Sequence, residues 1–194
     1  MLIICLCGKK QHGKSTLAEH LKQRWNFQEF SFAMPLKLAV KEIFHLTDAQ
    51  VFDHVGKETV DSFWKVTPRH LLQIVGTELF RDTLPTLIPE TKDVWVRSLV
   101  KQIQSLPEDS RVVISDCRFC EEWNAMRALG AKMVRIIRPN YVSDSKTSNH
   151  SSETSLDDTN IYIPDILLFN NGTLDDMYDK IMPYIQSWFL SDLS

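Results

Sequence analysis

Between Gly8 and Ser15 the chain reads Gly-Lys-Lys-Gln-His-Gly-Lys-Ser. Two glycines with four residues between them, followed at once by a lysine and a hydroxyl, fit the spacing G-x-x-x-x-G-K-[ST] of a loop that cradles phosphates. The residue types explain why. Glycines let backbone N–H groups turn inward to form an anion nest, and a helix starting at the loop's end adds its positive dipole end. Gly8, Lys10, His12, Gly13, Lys14, Ser15 and Thr16 are therefore expected to hold a nucleoside triphosphate, with Lys14 on the β- and γ-phosphates and Ser15 on Mg²⁺. The loop alone does not separate a kinase from a GTPase, an ATPase or a nucleotide-binding regulator.

A second group follows an apolar run. Ser115-Asp116-Cys117-Arg118 comes directly after Arg111-Val-Val-Ile, and an acid at a strand's carboxyl end lies where α/β ligands bind. Asp116 there could hold Mg²⁺ through water or take an acceptor's proton, and Arg118 could grip a phosphate bidentately. A third group is spread over the middle of the chain: Lys37, Arg69, Gln73, Thr77, Arg81 and Trp95. Arg69, Gln73, Thr77 and Arg81 are four apart, so on an α-helix they share one face. Such a stripe is as readily a solvated face as an acceptor site. Phe32, Trp64, Trp95 or Phe119 could stack on a base. Arg138, His150 and Glu153 flank or occupy a polar stretch, where Arg138 could serve as an internal arginine finger.

The elements that must position these groups are legible in outline. Leu2–Cys7 is continuously apolar, as a strand buried on both faces reads, which points to a parallel sheet. Further strands are expected at 27–32, 111–115, 133–137 and 166–169. Helices are expected after the loop (16–25), from Pro35 to Phe44, from Pro68 to Phe80 behind the cap Thr67, over 93–106, 121–129 and 174–190. No element is assigned to 45–65. Thr83–Thr91 holds two prolines and reads as a loop, and 141–160, rich in Ser, Thr, Asn and Asp, reads as a mobile one. Alternating strands and helices predict a three-layer α/β/α P-loop fold with a central parallel sheet. It would be a single domain over 1–194, with a core at 1–33 and 107–194, a helical acceptor-binding insertion at 34–106 and a lid at 138–160.

Composition narrows the partners. With 22 basic and 25 acidic residues the net charge is −3, which gives no overall attraction to a nucleic-acid backbone. No stretch is apolar enough to span a membrane, and Leu2–Cys7 is too short for a signal-peptide core. Cys117 and Cys120 form a C-x-x-C, but Cys5-x-Cys7 has the wrong spacing for a second zinc-ligand pair, so the four read as free thiols of a cytoplasmic protein. The expected partner is a small nucleotide. A membrane or nucleic acid is not expected, and a homodimer is compatible with everything above.

The segments Phe32-Ala-Met-Pro-Leu-Lys37, Pro68-Arg-His-Leu-Leu-Gln-Ile-Val-Gly-Thr77, Asp93-Val-Trp-Val96, Val113-Ile-Ser-Asp-Cys-Arg-Phe119 with Glu122, Leu129-Gly130, Arg135-Ile-Ile-Arg-Pro139, His150-Ser-Ser-Glu153, Asp165 and Asn170-Asn-Gly-Thr173 resemble, in order and over nearly the whole chain, the deoxynucleoside monophosphate kinases of phages and large DNA viruses. The resemblance implies ATP- and Mg²⁺-dependent phosphoryl transfer to a deoxynucleoside monophosphate, in the host cytoplasm if the source is viral. It places Lys14 and Ser15 on ATP and Mg²⁺, with Asn171 and Gly172 near the ATP base. It places Lys37, Arg69, Gln73, Arg81, Trp95 and Arg118 near the acceptor; Trp64, Thr77, Phe119, Glu122, His150 and Glu153 are further candidates for that side. Asp116 and Arg138 join Lys14 and Arg118 at the transferring group. Cys120 and Trp123 depart from the Pro-Asn-Glu-like stretch of the family, so the turn after Phe119 is expected to differ. The same architecture serves phosphomevalonate and dephospho-CoA kinases, and a regulatory nucleotide binder would share the loop.

Overall fold

The computed structural model describes residues 1–139, 141, 154–158 and 160–192. Five strands form one sheet among these residues: β1 (Leu2–Cys7), β2 (Gln28–Phe30), β3 (Arg111–Cys117), β4 (Lys132–Ile137) and β5 (Ile166–Phe169). Their order is β2-β3-β1-β4-β5 and every pair is parallel. All six residues of β1 are buried, which explains the unbroken apolar run. A strand with parallel neighbours on both edges and helices on both faces has no solvent side on which to alternate.

One face of the sheet carries Leu2, Ile4, Leu6, Val113, Val134, Ile136, Ile166 and Leu168. They pack against Leu17, Ala18 and Leu21 of α1 (Lys14–Trp25) and Met177, Ile181 and Ile185 of α9 (Leu174–Asp192). Successive strand residues point to opposite faces, so Ile3, Cys5, Cys7, Val112, Ile114 and Met133 turn the other way and are equally buried. There Trp123 of α8 (Cys120–Ala128) lies against the β4 side chain Arg135, ring centre to guanidinium carbon 6.0 Å. The cysteines are free. Burial pushes the Cys7 thiol up to about 12 and raises Cys5 as well, so both stay protonated and act as small apolar side chains.

Cys7 pairs with Cys117 on one side and Arg135 on the other. The loop that leaves β1 is therefore flanked by the carboxyl ends of β3 and β4. That is where the strand order places a ligand in an open α/β sheet.

The chain divides into two compact units, one of Met1–Ser31 with Leu99–Ser194 and one of Phe32–Ser98. The second is helical. It contains α2 (Met34–Ile43), α3 (Asp48–Phe52), α4 (His54–Glu58), α5 (Pro68–Gln73), a π-helical stretch Ile74–Thr83, α6 (Leu84–Leu87) and a 3₁₀ turn Pro89–Thr91, before α7 (Val94–Gln104) leads back to the sheet. Its core is small: Val40, Leu46, Val51 and Val75, backed by Leu36, Phe44, Leu71, Leu72 and Phe80. Thr47 opens α3 with a two-way capping box to Gln50, and Thr67 Oγ1 accepts from His70 N at 3.2 Å to open α5.

Three details differ from the sequence expectation. Leu36, Ala39, Val40, Ile43 and Phe44 fall on one face at helical spacing, yet Ile43 does not join the buried face of α2 but is 61% exposed. The stretch 45–65 holds two short helices, each too brief to show a period. The expected α-helix to Phe80 and loop at 83–91 are instead π-helix, one α turn and a 3₁₀ turn. In the π stretch Leu84 N donates to Leu79 O and Thr83 Oγ1 to Glu78 O at 2.6 Å, both five residues back. Pro85 offers no N–H and its ring crowds the carbonyl four residues before it, so a wider turn ahead of it relieves that contact.

Candidate active site

The phosphate loop is fixed by close approaches that only glycine permits. Gly8 has φ +135°, and a Cβ there would stand 2.3 Å from Ile136 O. Gly13 has φ +107°, with a Cβ 2.8 Å from Asn170 Nδ2. β4 and the end of β5 therefore press directly on the loop. Asn170 completes the clamp: its N donates to Ile137 O at 2.8 Å and its Nδ2 to His12 O at 3.0 Å. Buried His12 places Nδ1 3.2 Å from Ile136 O and 3.4 Å from Arg138 N. The shorter contact, to an acceptor, favours the tautomer with the proton on Nδ1.

Lys14 is the first residue of α1 and only 7% exposed. Its Nζ donates to Gly8 O at 2.7 Å and Lys9 O at 2.8 Å. The ammonium thus bridges the loop's own carbonyls, at the place where phosphate oxygens would be met. Ser15 is exposed and Thr16 and Lys10 half-buried on the same loop and first turn. Lys9 forms an ion pair with Asp157 at 3.3 Å.

Beside the loop, Asp116 is half-buried as the penultimate residue of β3, and Arg118 follows the strand. Glu122, 4% exposed, reaches back so that its Oε2 accepts from Arg118 N at 2.8 Å and Phe119 N at 3.1 Å. Its carboxylate caps α8 and fixes the turn that carries Arg118. Glu122, a candidate for the acceptor side, thus positions the turn that carries Arg118. Arg118, Gly8, Lys9, His12, Arg135 and Asp157 are among the walls of a cavity of about 150 Å³. Arg138, exposed just beyond β4, lies 5.6 Å from the Tyr141 ring centre, and Tyr141 Oη hydrogen-bonds Gln11 Oε1. Asn171 is exposed, its Oδ1 accepting from Lys180 Nζ at 2.8 Å. Gly172 meets α9, where a Cβ would stand 2.3 Å from Asp176 Oδ2.

The helical unit gathers a second positive group. Lys37 Nζ stands 5.6 Å over the Phe52 ring, Lys57 Nζ donates to Phe52 O at 3.2 Å, and Arg69 Nε pairs with Glu58. Burial lowers the Lys57 pKa, and the charges of Lys37 and Arg69 lower it further. Three cations therefore feel one another here. Lys57 was not among the expected residues: between Gly56 and Glu58 it carries no periodic signal, and the turn of α4 brings it in.

Gln73 and Thr77 are exposed and Arg81 half-buried, so the polar stripe stays outward although the winding turns π-type at Ile74. Trp64 donates Nε1–H to Phe44 O at 2.8 Å and is 39% exposed, edge-on to Phe44 and Phe63. Trp95 donates to Gly76 O at 3.0 Å and leans on Phe80. Both indoles are thus oriented by main-chain acceptors. His150 and Glu153 lie outside the described residues, as does most of the expected lid.

Among the described residues, no helix is long and apolar enough to cross a membrane. The fold is matched by the dephospho-CoA kinase of Campylobacter jejuni, with a TM-score of 0.53 and 18% identity over 95% of each chain. The deoxynucleotide monophosphate kinase of Enterobacteria phage T4 is 27% identical over 68% of this chain and 56% of its own length. An Acanthamoeba polyphaga mimivirus protein that bears the same family name is 38% identical over 96% of this chain and 97% of its own length. The family model described as deoxynucleotide monophosphate kinase matches residues 45–181, from the helical unit through α8 and the strands β3, β4 and β5. Matched by this family model over more than half of its length and by the mimivirus relative over nearly all of it, the chain belongs to the deoxynucleotide monophosphate kinase family.

Proposed function

We propose that the protein transfers the γ-phosphoryl group of ATP to the phosphate of a deoxynucleoside monophosphate, giving the diphosphate and ADP. The observation that carries the phosphate side is Lys14, buried at the start of α1 with its ammonium on the carbonyls of Gly8 and Lys9. When phosphate oxygens arrive they replace those carbonyls as acceptors, and the lysine needs little rearrangement to meet them. The acceptor's attacking oxygen is already anionic near neutral pH, so no strong base is required. Positioning and charge neutralisation then dominate the rate.

Each unit has its part in this reading. In the sheet unit, Gly8, Lys10, His12, Gly13, Lys14, Ser15 and Thr16 hold the triphosphate, and Asn171 and Gly172 border the base of ATP. Arg118, aimed by Glu122, and Arg138 take up charge on the transferring group. In the helical unit, Lys37, Lys57 and Arg69 bind the acceptor's phosphate, and Trp64, Trp95, Gln73, Thr77 and Arg81 line its nucleoside side; Phe119, in the sheet unit, is a further aromatic.

Mg²⁺ fits the donors present. The hydroxyl of Ser15 and the carboxylate of Asp116 are hard oxygen ligands, and among the described residues no group of three or more His, Cys, Asp or Glu side chains could cage a metal. Mg²⁺ asks for few protein ligands and takes the rest from phosphates and water. Held by Ser15 and Asp116, it would neutralise phosphate charge during transfer. The four free thiols suit a reducing cytoplasm. We expect the protein to act there on small nucleotides, without nucleic acid or membrane, and a second copy could pair with it.

The test is acceptor-dependent ADP release with ATP and Mg²⁺ against deoxynucleoside monophosphates, ribonucleoside monophosphates, phosphomevalonate and dephospho-CoA. Turnover with one or more deoxynucleotides is expected. Turnover confined to a non-nucleotide acceptor would refute the reading.

A further inference from the structure

Arg135 is a charged side chain in the one place where a parallel strand has no use for it. It lies in β4 between Val134 and Ile136, both fully buried, and pairs in register with Cys7 at the base of the phosphate loop. It is itself only 7% exposed. Its Nη2 donates to Leu156 O and, at 3.5 Å, to Tyr162 O, and its guanidinium faces Trp123. Its Nε is buried with no hydrogen-bond partner among the described residues. The partners just named are two carbonyls and a ring, none of them a carboxylate. A buried guanidinium held by carbonyls and a ring costs stability unless an anion completes it.

The same side chain lines the cavity of about 150 Å³ between the loop and the ends of β3 and β4. Around it stand three cations, Lys9, Arg118 and Arg135, and one carboxylate, Asp157, which sits 3.3 Å from Lys9. The excess of positive charge, the burial of its deepest member and the loop residues in its wall describe a site built for an anion. Its volume suits a phosphate group with some water. We infer that Arg135 is a phosphate-binding determinant of this chamber: nucleotide phosphate supplies the negative charge that the protein withholds. Arg135 also acts as a positioning residue, holding the carbonyls of Leu156 and Tyr162, and with them Asp157, at the loop. The inference rests on the kinase reading above and adds a residue to it. Sequence reading sets Arg135 in the middle of the strand at 133–137 and gives it no role.

The consequence is a pair of opposite signs that a purely structural arginine would not produce. Arg135→Met removes a buried charge at similar volume, and Arg135→Gln keeps a donor for the carbonyls without the charge. Thermal unfolding is measured for the wild type and both variants alone, with inorganic tripolyphosphate, with ATP and with a deoxynucleoside monophosphate. Without ligand, the Met variant is expected to melt at or above the wild type. In both variants the phosphate-induced rise in melting temperature should fall to less than half, matching at least tenfold weaker binding. Loss with ATP alone identifies the donor's phosphates as the partner, and loss with the monophosphate alone identifies the acceptor's. A variant that melts lower without ligand yet keeps its full phosphate-induced rise makes Arg135 merely structural and overturns the inference. Should the Met variant not fold, the Gln variant decides by the same criterion. A wild type that responds to neither ATP nor tripolyphosphate would sink the kinase reading, and this inference with it.

Discussion

The sheet unit and the helical unit place functional groups by different physical means. In the sheet unit the backbone does the placing. β1 is buried on every residue, its two parallel neighbours end at the same level, and the loop between them touches Ile136 O and Asn170 Nδ2 so closely that Gly8 and Gly13 admit no side chain. In the helical unit side chains do it. The helices are short, the buried core is four residues with a few partners, and Leu38, Ile43, Val55, Phe63 and Leu87 are left more than half exposed. A site made by backbone is rigid and intolerant. A site made by side chains on a lightly packed scaffold is cheaper to alter and more easily moved.

The sharpest way to break this contrast is at Lys14. Lys14→Ala should lower kcat by about a thousandfold or more, the scale on which a charge at the transferring phosphoryl acts, with the fold intact by circular dichroism. Near-normal turnover in a folded variant would remove the phosphate loop from the chemistry.

Next comes the pair Gly8→Ala and Gly76→Ala. The first forces a Cβ against a carbonyl at positive φ and should cost about 2–4 kcal/mol in denaturant unfolding. The second meets only the tip of Leu36, at 2.4 Å, a side chain that can turn away, and removes a helical glycine. Its net cost should be within about 1 kcal/mol of zero. Equal costs would show that the two units are equally rigid.

Lys57→Met sharpens the comparison from the acceptor side. We expect about a tenfold rise in the acceptor KM with little change for ATP, as for loss of one charge-assisted hydrogen bond. Its pH dependence has a definite sign. The folded-state pKa lies below 10.5, through burial and then Lys37 and Arg69. The unfolded chain therefore holds its proton to higher pH, and stability gains as pH rises from the lowered pKa toward 10.5. Below that window the charged lysine is a net cost, so the Met variant should be at least as stable as the wild type at neutral pH and lose its advantage as pH approaches 10.5. A Met variant less stable at neutral pH would contradict the crowding of the three cations. The smallest effect is at the capping box: Thr47→Ala should cost about 1 kcal/mol and leave the ATP KM unchanged.

How much could be read from the chain follows the same division. β1, β3 and β4 are apolar runs whose burial dictates their composition, and the phosphate loop is a local spacing, so each is visible without the fold. Ile74–Leu87 was not, because a hydrophobic period of 3.6 says nothing of a turn widened ahead of Pro85. Asn170 lies 158 positions from His12, and contacts at such separations leave no local trace. Glu122 was visible as a charge but not as a cap, since the residue three before it is Phe119 rather than a hydroxyl. Lys37 and Arg69 were legible as acceptor candidates, Arg69 from its place on a helical face and both from resemblance, and only the geometry set Lys57 beside them.

The central claim is a transfer from ATP to a deoxynucleoside monophosphate. The most direct measurement is the product balance of the wild-type protein with ATP, Mg²⁺ and each deoxynucleoside monophosphate, separated by anion-exchange chromatography. The account predicts one deoxynucleoside diphosphate for every ADP formed, and little ADP when the acceptor is left out. ADP released with inorganic phosphate and no diphosphate, at the same rate with or without acceptor, would contradict it.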